Sequence, residues 1–314
     1  MSSLIANLRF LAKKAAHLMI RRPWRVWRLK RRSGSFVHTS ANGLKFVLEP
    51  RHYLDHYIAV EGIYERRYVE YFHKILEPGS IVIDIGANIG NHALFLHDKC
   101  DRVECFEPNP EIADRLQANI DLNGASNIHV HRIGLGNREG VIPFALNVIG
   151  NPGHSGFFSM EGRDPSMFTE VELPIKVADK AIEALELPRL DFIKIDVEGL
   201  ELEVLQGLQK TISKYRPLVT FEHHEHLAPA GTFDAIKAAL PGYVIADPAY
   251  ARPDSNLFQR AAHLIKYGEL ISLYEVNVPR PQTYEGLLAI PCEHQLAAQV
   301  LKDDHGDSAL ISSS

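Results

Sequence analysis

Five acids and a short run of histidines carry the chemistry that this sequence can do. Asp84 closes the apolar run "IVIDI" and Glu107 closes the next one, "VECFE". Asp196 and Glu198 stand two apart in "KIDVEG", and Glu222 opens "EHHEH". Between the first two acids lies "GANIG", where Gly86 and Gly90 remove side chains at a point a ligand could approach. Carboxylates at the carboxyl ends of strands can hold the hydroxyls of a ribose. They can also take a proton from an acceptor that acts as a nucleophile.

Spacing narrows the first role. Glu107 lies 21 residues beyond Gly86, where a strand, glycine turn, helix and second strand bring a carboxylate to the two ribose hydroxyls. The turn is therefore expected to hold a nucleoside-bearing cofactor. A dinucleotide wants GxGxxG, because its second glycine lets backbone meet a pyrophosphate. Here Asn88 stands at that position and the spacing is GxNxG. S-adenosyl-L-methionine has no pyrophosphate, and its ammonium group suits Asp84 at the strand lip, through ordered water or turn backbone. It is the expected cofactor; a nicotinamide-dependent oxidoreductase and an inert nucleoside-binding module are the alternatives.

Methyl transfer is an in-line displacement at a sulfonium, so positioning matters, and an alcohol acceptor gains from a general base. Lys194, Asp196 and Glu198 alternate onto one face of a strand, and the next strand ends in Glu222, His223 and His224. Asp196 and Glu198 are read as shaping the pocket, with Glu222 or a histidine taking the proton. The candidate catalytic set is Asp196, Glu198, Glu222 and His223. His224 and His226 with carboxylates could bind a divalent ion, but the spacing matches no metal motif, so no metal is expected.

These residues need a frame. "SFVHTSANGLKFVLEP" reads as a hairpin about Asn42-Gly43, followed by a helix over 64–76. Strands are expected at 81–85, 102–107, 127–133, 191–197, 217–223, 243–247, 270–278 and 285–290, with a short one over "VIPFAL". Helices are expected at 89–97, 110–121, 179–186, 200–214 and 232–239, with Asn109 capping the second of these. Residues 147–170 read as a long loop or lid containing His154. The pattern predicts an α/β fold: a Rossmann-like doubly wound sheet, mostly parallel with an antiparallel edge, plus an N-terminal helix and hairpin. The expected divisions are 1–33, 34–78, 79–300 and a loose tail, 301–314.

Of the 34 Lys and Arg, ten lie in residues 1–32, which contain no acid. The net charge of −5 therefore hides a basic head on an acidic body. Leu4, Leu8, Leu11, Ala15 and Leu18 recur at helical spacing opposite Arg9 and Lys13, and Trp24 and Trp27 follow among arginines. That pattern suits peripheral contact with an anionic membrane face. An acidic body argues against nucleic acid as a partner. Three cysteines without a CxxC pair fit a reducing, cytoplasmic setting.

"VIDIGANIGNHALF", "FEPNP", "LQANIDLNG", "GLGNREG", "LDFIKIDVEGLELEVLQG" and "YRPLVTFE" together resemble the FkbM-type family of S-adenosylmethionine-dependent methyltransferases, over roughly residues 60 to 225. The resemblance implies O-methylation of a hydroxyl on a sugar, glycan, glycolipid or secondary metabolite. By position it carries Asp84, Gly86, Asn88, Gly90 and Glu107 over to the cofactor site, with Asn109 and Leu135 beside them. It likewise sets Asp196 and Glu198 near the methyl group. "IGLGN" and "VADKAI" depart from the family pattern, the latter keeping only Asp179.

Overall fold

A run of side chains that is apolar throughout, such as "SIVIDI", pays no solvent cost only where both faces of a strand are covered. In the computed structural model every residue of that strand is buried. The structure describes residues 29, 31, 34–40, 42–50, 52–147, 166–249, 271–280 and 282–300. The amphipathic head with Trp24 and Trp27, the segment with His154, and the tail lie outside the described residues.

In chain order the strands are β1 (Phe36–Thr39), β2 (Lys45–Leu48), β3 (Ser80–Ile85), β4 (Cys100–Phe106), β5 (Ile128–His131), β6 (Gly134–Gly136), β7 (Gly140–Asn147), β8 (Phe168–Val177), β9 (Phe192–Ile195), β10 (Leu218–His224), β11 (Tyr243–Ala249), β12 (Ser272–Glu275) and β13 (Thr283–Pro291). The helices are α1 (Tyr53–Glu61), α2 (Arg66–Ile75), α3 (Asn91–Leu96), α4 (Pro110–Asn123), α5 (Ala178–Glu183), α6 (Glu201–Gly207), α7 (Gln209–Tyr215) and α8 (Thr232–Ala239).

Eight strands form the central sheet in the order β12-β11-β13-β10-β9-β3-β4-β5. Pairing is parallel from β5 to β10 and antiparallel at β13, β11 and β12. This is the α/β sheet with an antiparallel edge that the sequence predicts. Strand order reverses between β3 and β9, and a ligand crevice opens beyond their carboxyl ends. One apolar layer, with Phe72, Leu94, Leu116 and Phe192, covers one face; another, with Ile83, Leu205, Phe221 and Phe233, covers the other.

Three elements depart from the sequence reading. A second sheet, β6-β8-β7, occupies part of the expected loop, because "FTEVELPIKV" pairs antiparallel with β7. Helix α1 is unannounced: its N-cap residue His52 makes no side-chain cap and its apolar residues form no clear stripe. The helix expected over 200–214 divides at Leu208 into α6 and α7. There Asp179 accepts from the amides of Lys210 (2.9 Å) and Thr211 (2.8 Å), capping α7 from another helix.

The hairpin does not stand apart from the body. Phe46 and Leu48 of β2 belong to the same apolar layer as Phe192 of the central sheet, and so does Leu29. Asn119 and Asn123, one turn apart on α4, bond to β2 through Val47 N (2.7 Å), Lys45 N (2.9 Å) and Lys45 O (2.7 Å). Two amide side chains thus take the part of a neighbouring strand. No helix among the described residues is long and apolar enough to cross a membrane.

Candidate active site

A cavity of about 390 Å³ opens over the carboxyl ends of β3, β4, β9 and β10. Its floor is the turn after β3. Gly86 N and Ala87 N donate to Phe106 O (2.9 and 3.2 Å), which ties this turn to the end of β4. Asn88 takes a left-handed conformation (φ 49°). Its amide then donates to Glu107 Oε2 at 3.1 Å, and Asn109 N donates to Glu107 Oε1 at 2.9 Å. Two backbone amides therefore fix the Glu107 carboxylate at the cavity wall. Burial still pushes it up to about 7, against those bonds.

The glycines do different work from one another. Gly86 lines the cavity, but a Cβ there would come within 1.8 Å of the Asp196 carbonyl oxygen. Two strand-end loops cross at that point, so the glycine is needed by the protein itself as well as by any ligand. Gly90 is not on the cavity wall. It caps α3 with φ 89°, and a Cβ would lie 2.7 Å from Leu116 Cδ1, so it serves helix packing. The first turn of α3 begins at Asn91, two residues after the expected start.

Asp84 is also off the wall. It is 1% exposed and sits beside its cross-strand neighbour Lys194, whose Nζ is 3.4 Å away. Neither Asp84 oxygen accepts a hydrogen bond among the described residues. Lys194 Nζ also reaches Asp196 at 3.1 Å, and these two acids hold the buried ammonium far above its ordinary value despite desolvation. Asn109 lines the cavity and caps α4, its Oδ1 accepting from Glu111 N at 3.0 Å. Leu135 lies on the wall beside Leu173 and Ile175 of the second sheet, which gives that side an apolar surface.

The opposite wall is acidic. Asp196, Glu198 and Glu222 all line it. Glu201 holds the turn that presents Asp196 and Glu198, accepting from Val197 N (3.1 Å) and Gly199 N (3.2 Å). Glu198 stands in a left-handed conformation at the open mouth. Desolvation by the surrounding protein, then Asp196 and Glu201, push it up to about 8. The same causes, desolvation first and then Asp196 and Glu198, push Glu222 up to about 9.

His223 does not join them. Successive residues of β10 face opposite sides, and His223 packs on Phe233 (5.3 Å) with Nε2 2.7 Å from Glu225. It is 4% exposed and absent from the wall, whereas its neighbour His224 lies on the wall with Glu222. The period of two was the signal for this, and it favours 222 with 224.

Tyr64 and Glu65 are wall residues that the sequence reading did not name. Asn91 exchanges two 3.0 Å hydrogen bonds with the Tyr64 backbone, and His92 Nε2 lies 3.2 Å from Glu65. The "NH" directly after the glycine turn thus pins the α1–α2 loop over the cavity. Among the described residues no cluster of three or more acids, histidines or cysteines could hold a metal ion.

Residues 84–245, just over half of the chain, match the methyltransferase FkbM domain family. The chain belongs to this family. The match begins at Asp84 and runs through the crevice residues to β11. Three relatives give its neighbourhood. The hexuronic acid methyltransferase AglP of Haloferax volcanii is 34% identical over 155 residues, 49% of this chain and 59% of that protein. Methyltransferase 1 of Beauveria bassiana is 25% identical over 229 residues, 65% of this chain and 90% of that protein. The 2-O-methyltransferase NoeI of Sinorhizobium fredii is 26% identical over 159 residues, 46% of this chain and 63% of that protein. This chain thus spans under two thirds of the haloarchaeal and rhizobial proteins.

Proposed function

We propose that the protein transfers a methyl group from S-adenosyl-L-methionine to a hydroxyl oxygen of a saccharide. The observation that carries the reading is Glu107: a wall carboxylate fixed by two amides, which still has one acceptor lone pair or more on each oxygen for a ribose diol. Gly86 and Asn88 would hold the methionine end and Leu135 the adenine, while Asp84 acts from below by compensating Lys194. When bound, the cofactor supplies an electrophilic methyl group. The chain's part is to orient the acceptor and take its proton. Asp196 and Glu198 shape the acceptor side, and Glu222 is the base, because Asp196 is already engaged by Lys194 at 3.1 Å. A saccharide is favoured by two relatives, one named for a hexuronic acid and one for 2-O-methylation.

The test has two stages. S-adenosylmethionine should raise the melting temperature, and a nicotinamide dinucleotide should not. Labelled cofactor should then pass label to a panel of methyl glycosides, uronates and lipid-linked oligosaccharides. A shift with the dinucleotide alone would overturn the cofactor assignment, and label entering only non-saccharide fractions would overturn the acceptor class.

A further inference from the structure

His224 follows His223 on β10 and, unlike it, lies on the cavity wall. His224 Nε2 lies 3.0 Å from Glu222 Oε1, and its Nδ1 lies 2.9 Å from Thr283 Oγ1. Thr283 is the cross-strand partner of His224 between β10 and β13. The register slips between Phe221 and His223, so Glu222 stands at an irregularity in the ladder, the kind of place where a side chain is re-aimed into a site. One ring nitrogen thus meets a hydroxyl of the next strand, and the other lies within ion-pair range of the wall acid.

The geometry points to His224 and Thr283 as positioning residues for Glu222, the three forming a proton-accepting unit on the acceptor side of the cavity. This inference rests on the proposed methyl transfer. The Thr283 hydroxyl donates to Nδ1, which fixes the neutral ring as the Nε2–H form. That N–H lies beside Glu222 Oε1 at 3.0 Å, where a small rotation of the ring makes it the donor, and leaves Oε2 to meet the acceptor. As the acceptor oxygen bonds to the methyl carbon, the carbon–sulfur bond breaks and its electron pair stays on sulfur as a thioether. The acceptor's proton passes to Glu222 Oε2, so charge and atoms balance with no further reactant.

The electrostatic setting explains why Glu222 needs help. Facing it are Asp196 and Glu198 from the loop after β9, Glu201 of α6 and Glu65 of the α1–α2 loop, and Glu285 stands across the ladder on β13. Lys194 is the cation of this wall, but it is engaged by Asp84 and Asp196. Even with His224 beside it Glu222 keeps its proton up to about 9, and without the ring it would keep it higher still. Burial, His226 and His223 push His224 down, so its ring is neutral there and free to donate. Donation to the charged carboxylate favours the ionised base.

The first experiment needs no acceptor. Ring signals of His224 in the full-length protein, assigned with His224→Gln, should report an upper titration step near 9 that disappears in Glu222→Gln. Ring nitrogen shifts should report the Nε2–H form, and Thr283→Val should mix the two tautomers. The second uses a methyl glycoside that accepts label. His224→Ala should lower kcat about tenfold or more, within the usual range for proton transfer, and move the acid limb of its pH profile upward. His224→Gln, which keeps an N–H donor, should recover part of both, with KM for the cofactor unchanged in each variant. A ring titration indifferent to Glu222→Gln, or an acid limb unmoved by His224→Ala, overturns the inference. A ring step lost in Glu222→Gln, with no saccharide ever labelled, supports the pairing and overturns the saccharide assignment instead.

Discussion

Glu107 accepts from Asn88 N and Asn109 N, yet its burial raises it to about 7. Ribose hydroxyls donate, so they bind the ionised form better. The affinity for S-adenosylmethionine should therefore rise as pH passes up through about 7, and Glu107→Gln should flatten that dependence in calorimetry. Glu107→Ala should weaken binding by about 1.5–3 kcal/mol, the range for hydrogen bonds to a charged group. Stability has its own sign. Glu107, Glu198 and Glu222 hold protons at about 7, 8 and 9 in the folded protein, against an ordinary 4.5. The folded state then binds protons more tightly than the unfolded chain, and this stabilisation is full below the ordinary value and is lost progressively from there until each folded value is passed. The urea midpoint of the ligand-free protein should fall as pH climbs from the ordinary 4.5 toward about 9, most steeply below about 7 where all three acids contribute, and less so when all three are glutamine.

Among the elements, the turn after β3 and the α6–α7 break carry the sharpest tests. Gly86→Ala places a Cβ against a backbone oxygen, which cannot swing aside, while Gly90→Ala meets the end of a leucine. Both sit at positive φ, which alone costs alanine about 1–2 kcal/mol. Gly86→Ala should therefore lose clearly more stability in urea than Gly90→Ala, and should lose cofactor binding as well. Gly207→Ala should behave like the former, because its Cβ would meet Gly136 O at 2.0 Å and push β6 and Leu135 outward. Asp179→Ala removes the cap of α7 and should cost about 0.5–2 kcal/mol without touching cofactor affinity. The strand–turn–helix rhythm was legible in the sequence because uninterrupted apolar runs and the Asn109-Pro110 cap are local signals. The division at Leu208 was not legible, since the acid that causes it stands 31 residues away from Lys210 in the chain.

At the scale of the whole molecule the basic head still awaits a role, and we propose contact with an anionic membrane surface. Removing it outright is a poor test, because Leu29 is part of the core. Neutralising Lys13, Lys14, Arg21 and Arg22 to glutamine in the full chain should reduce pelleting with anionic vesicles and leave neutral vesicles indifferent. Each charge near the surface contributes about 1 kcal/mol. Equal pelleting with either vesicle would sink the proposal. By itself the sequence determined the α/β sheet and the family, because these depend on residue type and short spacing. Tertiary structure alone decided which histidine faces the acceptor, that Asp84 answers to Lys194, and that Gly86 is held by Asp196. Each of those depends on which strand lies beside which, and on the face a side chain takes there, and that pairing joins residues far apart in the chain.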